Sequence, residues 1–294
     1  MDPGPNAAVL AATPRSHAGL RAQRRVRLRT AGALAPALLV LLLLFGGGLA
    51  GAVRTSLVPL GGSASLESWR TLFADPAFGD AVRFSLRISL TATLISAVAA
   101  VAVASLVRSR GTTLRALVAL PVPVPHLLIA VLAVLWLAPG GLADRLLGTT
   151  LGGSVIRDER GLGIVLVYVY KETPFLVLLV LAAMGRGLRE REEAAAVLGA
   201  SLFQRLRWVL WPAIRTPLVV GSIVVAAFTL GAFEVPLTVG PNYPPTLSEF
   251  AFQATQNDLL AGEGVAAASL LLTAVASIGL AILAVRLGKD QTGG

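Results

Sequence analysis

Glu193-Ala194-Ala195-Ala196-Val197-Leu198-Gly199, followed by residues 200–208 and then Val209-Leu210-Trp211-Pro212, is the stretch whose reading decides the fold. It lies in the one long charged interruption among otherwise apolar segments, so it stands outside a bilayer while being tethered close to it. Glu190, Glu192 and Glu193 precede a run of Ala and Leu, which favours a helix whose positive N-terminal end is matched by carboxylates. Gly199 then breaks that helix. Ser201 followed by Gln204 has the spacing of a capping box, so a second short helix is expected to start at Ser201 and to carry Leu202, Phe203, Leu206, Val209 and Leu210 on its apolar side. The expected result is a helix-turn-helix lying along the membrane. Ala194 and Ala195 add no bulk, so another protein's surface can approach closely, and apolar positions three and four apart suit an anchor in a groove.

Composition agrees with a membrane location. The 294 residues are 55% hydrophobic and 14% charged, with a mean hydropathy of +0.76, where a soluble chain has about a quarter of its residues charged. The absence of cysteine excludes disulfides and thiolate metal sites and leaves the redox compartment open. The formal charge of +9 comes from basic residues in short segments flanking apolar runs, which reads as a topology signal and not as a nucleic-acid surface.

The spacing of the opening stretch resembles a family signature. Glu-Ala-Ala, three residues, Gly, nine residues, an aliphatic, one residue, a bulky apolar residue and Pro is similar to the signature of inner-membrane permease subunits of binding-protein-dependent ABC importers. Val209 and Trp211 stand where the family usually has Ile and Leu, and both keep the apolar character. The resemblance implies a type I, MetI-like permease over about residues 84–285, an all-α integral membrane fold with a five-helix core. It also implies that this loop couples the permease to a cytoplasmic ATPase, with Glu193, Ala194, Ala195 and Gly199 as its core and Leu202, Phe203 and Pro212 beside them.

Taken in order, residues 1–30 form a polar tail with six arginines, read as holding the N-terminus in the cytoplasm. Residues 31–53 are uncharged over 23 residues, where about 20 suffice to cross a bilayer, and are taken as an uncleaved first span. Residues 54–80 read as a loop at the outer interface. The second span, Ile88 to Val107, is rich in Ala and Ser, which allows close helix packing in lipid; Arg83 and Arg87 at its edge read as snorkelling to headgroups.

Arg108, Arg110 and Arg115 mark a short cytoplasmic turn. In the third span, Ala116 to Ala138, Pro121, Pro123 and Pro125 cannot all sit in a regular helix, so it must start late or be broken. Broken backbone at membrane depth is tolerated where it is buried in protein or lines a cavity, so this side either faces the pathway or simply has its angle set by the prolines. His126 reads as a packed or interfacial histidine. The fourth span, Gly161 to Met184, carries Lys171-Glu172-Thr173-Pro174-Phe175 near its middle, where a lysine costs roughly 2.5–3.5 kcal/mol on insertion scales. The two charges point about 100° apart on a helix, so each is expected to find its own partner. Two readings of Lys171, Glu172 and Pro174 are open, a pathway or gating role and a structural ion pair with another span. The family often shows an aromatic and polar stretch before Pro-Phe here, so Pro174-Phe175 adds to the resemblance.

The fifth span, Pro217 to Phe233, ends in Glu234-Val235-Pro236, and Glu234 joins the pathway candidates. An acidic outer loop runs to Gly264, and a sixth span, Val265 to Val285, precedes a cytoplasmic tail over 286–294. Placing the N-tail, the 108–115 turn, the Glu-Ala-Ala loop and the C-tail inside puts 17 of the 25 Lys and Arg there with 5 of the 16 acids. Six spans with both termini cytoplasmic therefore satisfy the positive-inside rule. That is the topology of a multi-pass protein of the bacterial inner membrane.

The resemblance further implies partners: two copies of an ABC ATPase, a second permease as homodimer or heterodimer, and an extracytoplasmic substrate-binding protein, with membrane lipid around them and no nucleic acid. Gly288-Lys289 is followed by Asp290 and lacks a Gly five residues before, so nothing here resembles a phosphate-binding loop. The chain is thus expected to be a transport subunit and no enzyme, with no cofactor of its own and ATP on the partner. Residues 231–252 look like permeases placed with spermidine/putrescine, iron and thiamine importers. An acidic outer rim would gather cations, which ranks polyamine or a similar small cation first among solutes, ahead of iron, thiamine, sulfate or sugar. The rivals from other classes are an ATPase-independent secondary transporter or channel, for which no convincing internal repeat is found, and a membrane scaffold.

Overall fold

The computed structural model describes residues 32–58, 63–148, 155–258 and 262–289. The basic tail expected over 1–30 and the last residues from 290 on, Asp290 among them, lie outside that set. Among the described residues every regular element is a helix, and six helices are long and apolar enough to cross a membrane. The chain divides into two units at Gly51. The first is the start of α1 (Gly32–Leu57), with a wide π-type turn over Leu42–Gly46 and every side chain of residues 32–51 exposed.

In the second unit the stretch expected as a loop holds α2 (Glu67–Ala74) and the first turns of α3 (Pro76–Val107). The second span therefore begins twelve residues before Ile88. Asp75 caps it, its carboxylate accepting from the Ala77 N–H at 2.8 Å, and Pro76 fits the first turn where no N–H is needed. Down α3 runs a buried stripe of small residues, Ala81, Ser85, Ser89, Ala92, Ser96, Ala100 and Ala104. This stripe lets α3 lie against α7 (Leu162–Ala183) and α9 (Leu202–Gly231). At that contact the Ser89 hydroxyl lies 2.9 Å from both the Ala226 carbonyl and the Thr229 hydroxyl, satisfying polar groups where lipid offers none. Close approach continues at Gly221 of α9, where a Cβ would sit 2.5 Å from Leu179 Cδ1.

Between α3 and α7 the third span is broken as its prolines demand. The pieces are α4 (Thr112–Ala119), α5 (His126–Leu137), which starts from Pro125, and the short α6 (Leu142–Leu147). After α7 comes α8 (Arg186–Val197). The short second helix expected after Gly199 is not separate from the fifth span. Both belong to α9, which runs from Leu202 to Gly231 through a π-type turn at Leu206–Leu210. Pro212 explains the wide turn: it cannot donate to the ordinary ladder, and Trp211 N–H reaches back to the Leu206 carbonyl instead.

The acidic segment expected as loop up to Gly264 contains α10 (Glu234–Val239) and α11 (Leu247–Asn257), followed by α12 (Gly262–Lys289). α10 packs on α5, and α11 and α12 pack together, with α2 also against α12. The sixth span is longer than Val265 to Val285 because its helix continues to Lys289.

Candidate functional site

The Glu-Ala-Ala loop is built by two local devices that its sequence encodes. α8 stops in a Schellman arrangement: Gly199 takes φ +82°, its N–H bonds the Ala196 carbonyl, and the Ala200 N–H bonds the Ala195 carbonyl, each at 3.0 Å. Next, the Ser201 hydroxyl accepts from Gln204 N–H at 3.2 Å while the Gln204 side chain accepts from Ser201 N–H at 2.8 Å, closing the capping box. The turn between the helices is therefore fixed by hydrogen bonds, not by packing. No heavy atom lies within 4 Å of where a Gly199 Cβ would be.

The glutamates do not sit at the helix start, as expected from their order. α8 begins at Arg186, which leaves its first turn without an acid, and Glu192 and Glu193 find side-chain partners instead. Glu193 accepts from Arg189 Nε at 2.8 Å along the helix, an exposed pair one turn apart. Glu192 turns inward and accepts from Arg108 at the end of α3, 2.5 Å away. Leu188 and Glu192 are buried on that inner face. On the outer side Ala194, Val197, Leu198, Leu202 and Phe203 stand open, Leu198 and Phe203 at 86% and 72% exposure. Pro212 is also exposed, at the base of the loop. Of the apolar set expected on the second helix, Leu202 and Phe203 face out, and Leu210 turns into the core with Ile214 and Leu218.

The second group gathers around the proline break. Lys171 and Glu172 are 6% and 8% exposed, and consecutive side chains hold the two flanks of one gap. Lys171 Nζ donates to the Pro121 carbonyl at 2.9 Å and the Val122 carbonyl at 2.6 Å. In a continuous helix Pro121 O would accept from residue 125, which is a proline. The lysine thus supplies a donor that the sequence withheld. Glu172 Oε1 lies 2.8 Å from His126 Nε2, at the start of α5, and the His126 ring packs on Phe228 of α9 with centroids 4.7 Å apart. Each charge does find its own partner, and that partner is the broken span. For Lys171 it is backbone, not a carboxylate. Pro174 is buried within α7, whereas Glu234 is exposed at the start of α10 and stands apart from this group.

At the far end Thr246 and Glu249 form a second capping box, with Glu249 Oε2 accepting from Thr246 N–H at 2.8 Å and from its hydroxyl at 2.9 Å. Burial pushes the Glu249 carboxyl above its ordinary range, and the bonds from Thr246 oppose that shift. Arg83 and Arg87 are not simply snorkelling: Arg83 pairs with Asp80, and Arg87 donates to the Arg160 carbonyl at 3.3 Å. The residues that sequence reasoning missed are Arg108 and His126 as partners, 84 and 46 positions from theirs. Thr246 was also missed, although its Thr-x-x-Glu spacing was visible.

Known proteins match this architecture. The family described as "binding-protein-dependent transport system inner membrane component" matches residues 92–291. The inner membrane ABC transporter permease protein YnjC of Escherichia coli (strain K12) is 30% identical over 228 residues, 75% of this chain and 43% of that protein. The permease protein YdcU of the same organism is 40% identical over 91 residues, 31% of this chain and 29% of the relative. The trehalose/maltose transport system permease protein MalF of Thermococcus litoralis is 30% identical over 130 residues, 43% of each. The chain thus spans less than half the length of these curated relatives. Among solved structures, a bacterial alginate ABC transporter in complex with an alginate pentasaccharide-bound periplasmic protein superposes with a TM-score of 0.72 at 19% identity. It covers 93% of this chain and 98% of its own. With its six apolar helices and its match over two thirds of its length, this multi-pass chain belongs to the family of inner membrane components of binding-protein-dependent transport systems.

Proposed function

We propose that the chain is a permease subunit of an ATP-driven importer, lying with both termini and the Glu-Ala-Ala loop on the cytoplasmic side. The observation that carries this reading is the exposed apolar tip: Val197, Leu198, Leu202 and Phe203 stand beyond the bundle around a hydrogen-bonded turn. A bare apolar patch of this kind marks a protein contact. The small side chain of Ala194 lets a groove close over it. The occupant is an ABC ATPase that hydrolyses the ATP, bound as two copies to a pair of permeases, with an extracytoplasmic binding protein delivering solute. Lys171 and Glu172 hold the broken span that borders the path, Pro174 lies buried in the same helix, and Glu234 stands at the rim.

Two observations bear on the solute. The relatives whose names give one act on carbohydrates, trehalose/maltose and alginate, and we take a carbohydrate as the first reading. A cleft of about 380 Å³ lined by Glu67, Asp75, Asp258 and Gln253 favours the small-cation reading as the second. Calorimetry on the associated binding protein with an oligosaccharide and with spermidine separates them.

The docking claim is tested with Gly199→Val. The substitution meets no neighbour in the fold but disfavours the left-handed turn. Retention of the ATPase on the affinity-purified permease is expected to fall at least tenfold while the chain stays in the membrane fraction. Unchanged retention would count against the reading.

A further inference from the structure

Behind the coupling helix, on the face of α8 opposite Ala194 and Leu198, lies a cleft of about 260 Å³. Its apolar wall is Met184 and Leu188, and its polar wall is Arg108, Ser109, Arg189, Glu192, Glu193 and Arg205. Two of the three arginines are committed, Arg108 to Glu192 and Arg189 to Glu193. The third is not. Arg205 Nε is buried without a hydrogen-bond partner, and its guanidinium has no carboxylate within ion-pair distance among the described residues. A buried cationic donor calls for an acceptor, and the acids of this cleft are already taken.

Position names the acceptor. Arg108 directly follows the last residue of α3, Val107, and Met184 directly follows the last residue of α7, Ala183. The cleft therefore opens at the end of two membrane spans, at the depth of lipid headgroups. Arg115, which donates to the Arg108 carbonyl, adds to the positive field beside it. A cationic recess with one apolar wall at that depth fits a phosphate carrying acyl chains.

We propose that this cleft binds the phosphate of an anionic phospholipid, held by Arg205 and the free edge of Arg108, with the acyl chains along the Met184 side. The lipid would neutralise the uncommitted guanidinium and brace the inner face of α8. This goes beyond the transport reading and depends neither on the ATPase nor on which membrane face the loop occupies.

The test is native mass spectrometry of the purified permease complex after exchange into detergent with phosphatidylglycerol or phosphatidylcholine. Retention of phosphatidylglycerol is expected to exceed that of phosphatidylcholine at least tenfold, and Arg205→Gln is expected to abolish the difference. Arg207→Gln is the control, because Arg207 is not among the residues lining the cleft and its guanidinium lies over the Trp208 ring, 5.0 Å from its centroid. Should Arg205→Gln reduce folding, Ser109→Glu, which places a carboxylate among the arginines that line the cleft, is expected to give the same loss. Equal retention of the two lipids, or equal loss in Arg207→Gln, overturns the proposal. Displacement of the lipid from the wild type by millimolar inorganic phosphate would overturn the lipid assignment and give the cleft to a soluble phosphate.

Discussion

Lys171 Nζ lies 2.6 Å from the carbonyl oxygen of Val122 and 2.9 Å from that of Pro121, so a buried amine in one span completes the backbone of another. Pro123 and Pro125 remove donors from this gap, and local turns recover only part of the deficit, as where Val124 N–H reaches Pro121 O at 3.2 Å. A charge at that depth is otherwise unfavourable. Here it stabilises a break that sequence-local groups satisfy only in part.

Replacing Lys171 by Met keeps the length and removes the donor. Leaving the buried carbonyls short of a partner costs about 1–3 kcal/mol, so the thermal inactivation midpoint of the detergent-solubilised complex is expected to drop by several degrees. Solute-stimulated ATPase activity, measured below that midpoint, should fall with it as the α4–α5 break loosens. An unchanged midpoint with altered transport would instead make Lys171 a path-lining residue.

Glu192 and Arg108 join α8 to the end of α3 by a bond that skips 84 positions. Glu192→Gln retains shape and loses the charge. A charge-assisted bond is worth about 1.5–3 kcal/mol, and the half-open guanidinium reduces this to roughly 1 kcal/mol by solvent screening. Amide exchange over residues 186–198 is expected to quicken several-fold, with the membrane spans unaffected. ATP hydrolysis should then respond less to solute.

Glu249 links stability to pH. Its folded carboxyl titrates above the unfolded value because it is buried, so its contribution is fully present below about pH 4.5 and is lost as pH rises through the raised folded value. Glu249→Gln keeps an acceptor for Thr246 and cannot titrate. The variant is therefore expected to gain stability relative to the wild type as pH rises from about 4.5 to 8, read from paired melting curves. A difference that stays constant over that interval would contradict this.

The parts legible in the sequence are those fixed by neighbours along the chain. The apolar runs gave the spans, Gly199 and the Ser201–Gln204 spacing gave the turn, and alternate prolines gave the break at 120–125. What escaped was set by residues far apart. Nothing local pairs Arg108 with Glu192 or His126 with Glu172, and the union of the short helix after Gly199 with the fifth span depends on a π-type turn that a 3.6-residue period does not anticipate. Some signals were present and unread. Asp75-Pro76 is a cap followed by a first-turn proline, and Thr246 with Glu249 is a capping box. Both lay in stretches whose polarity suggested loop.

The most direct test of the account is the sidedness and contact of the exposed tip. The chain has no cysteine, so Phe203→Cys provides a single label at a side chain that is open in the structure. In right-side-out membrane vesicles the account predicts no reaction with a membrane-impermeant maleimide, rapid reaction once the vesicles are opened, and protection when the ATPase is bound. Rapid labelling of sealed vesicles, or labelling indifferent to the ATPase, would contradict it.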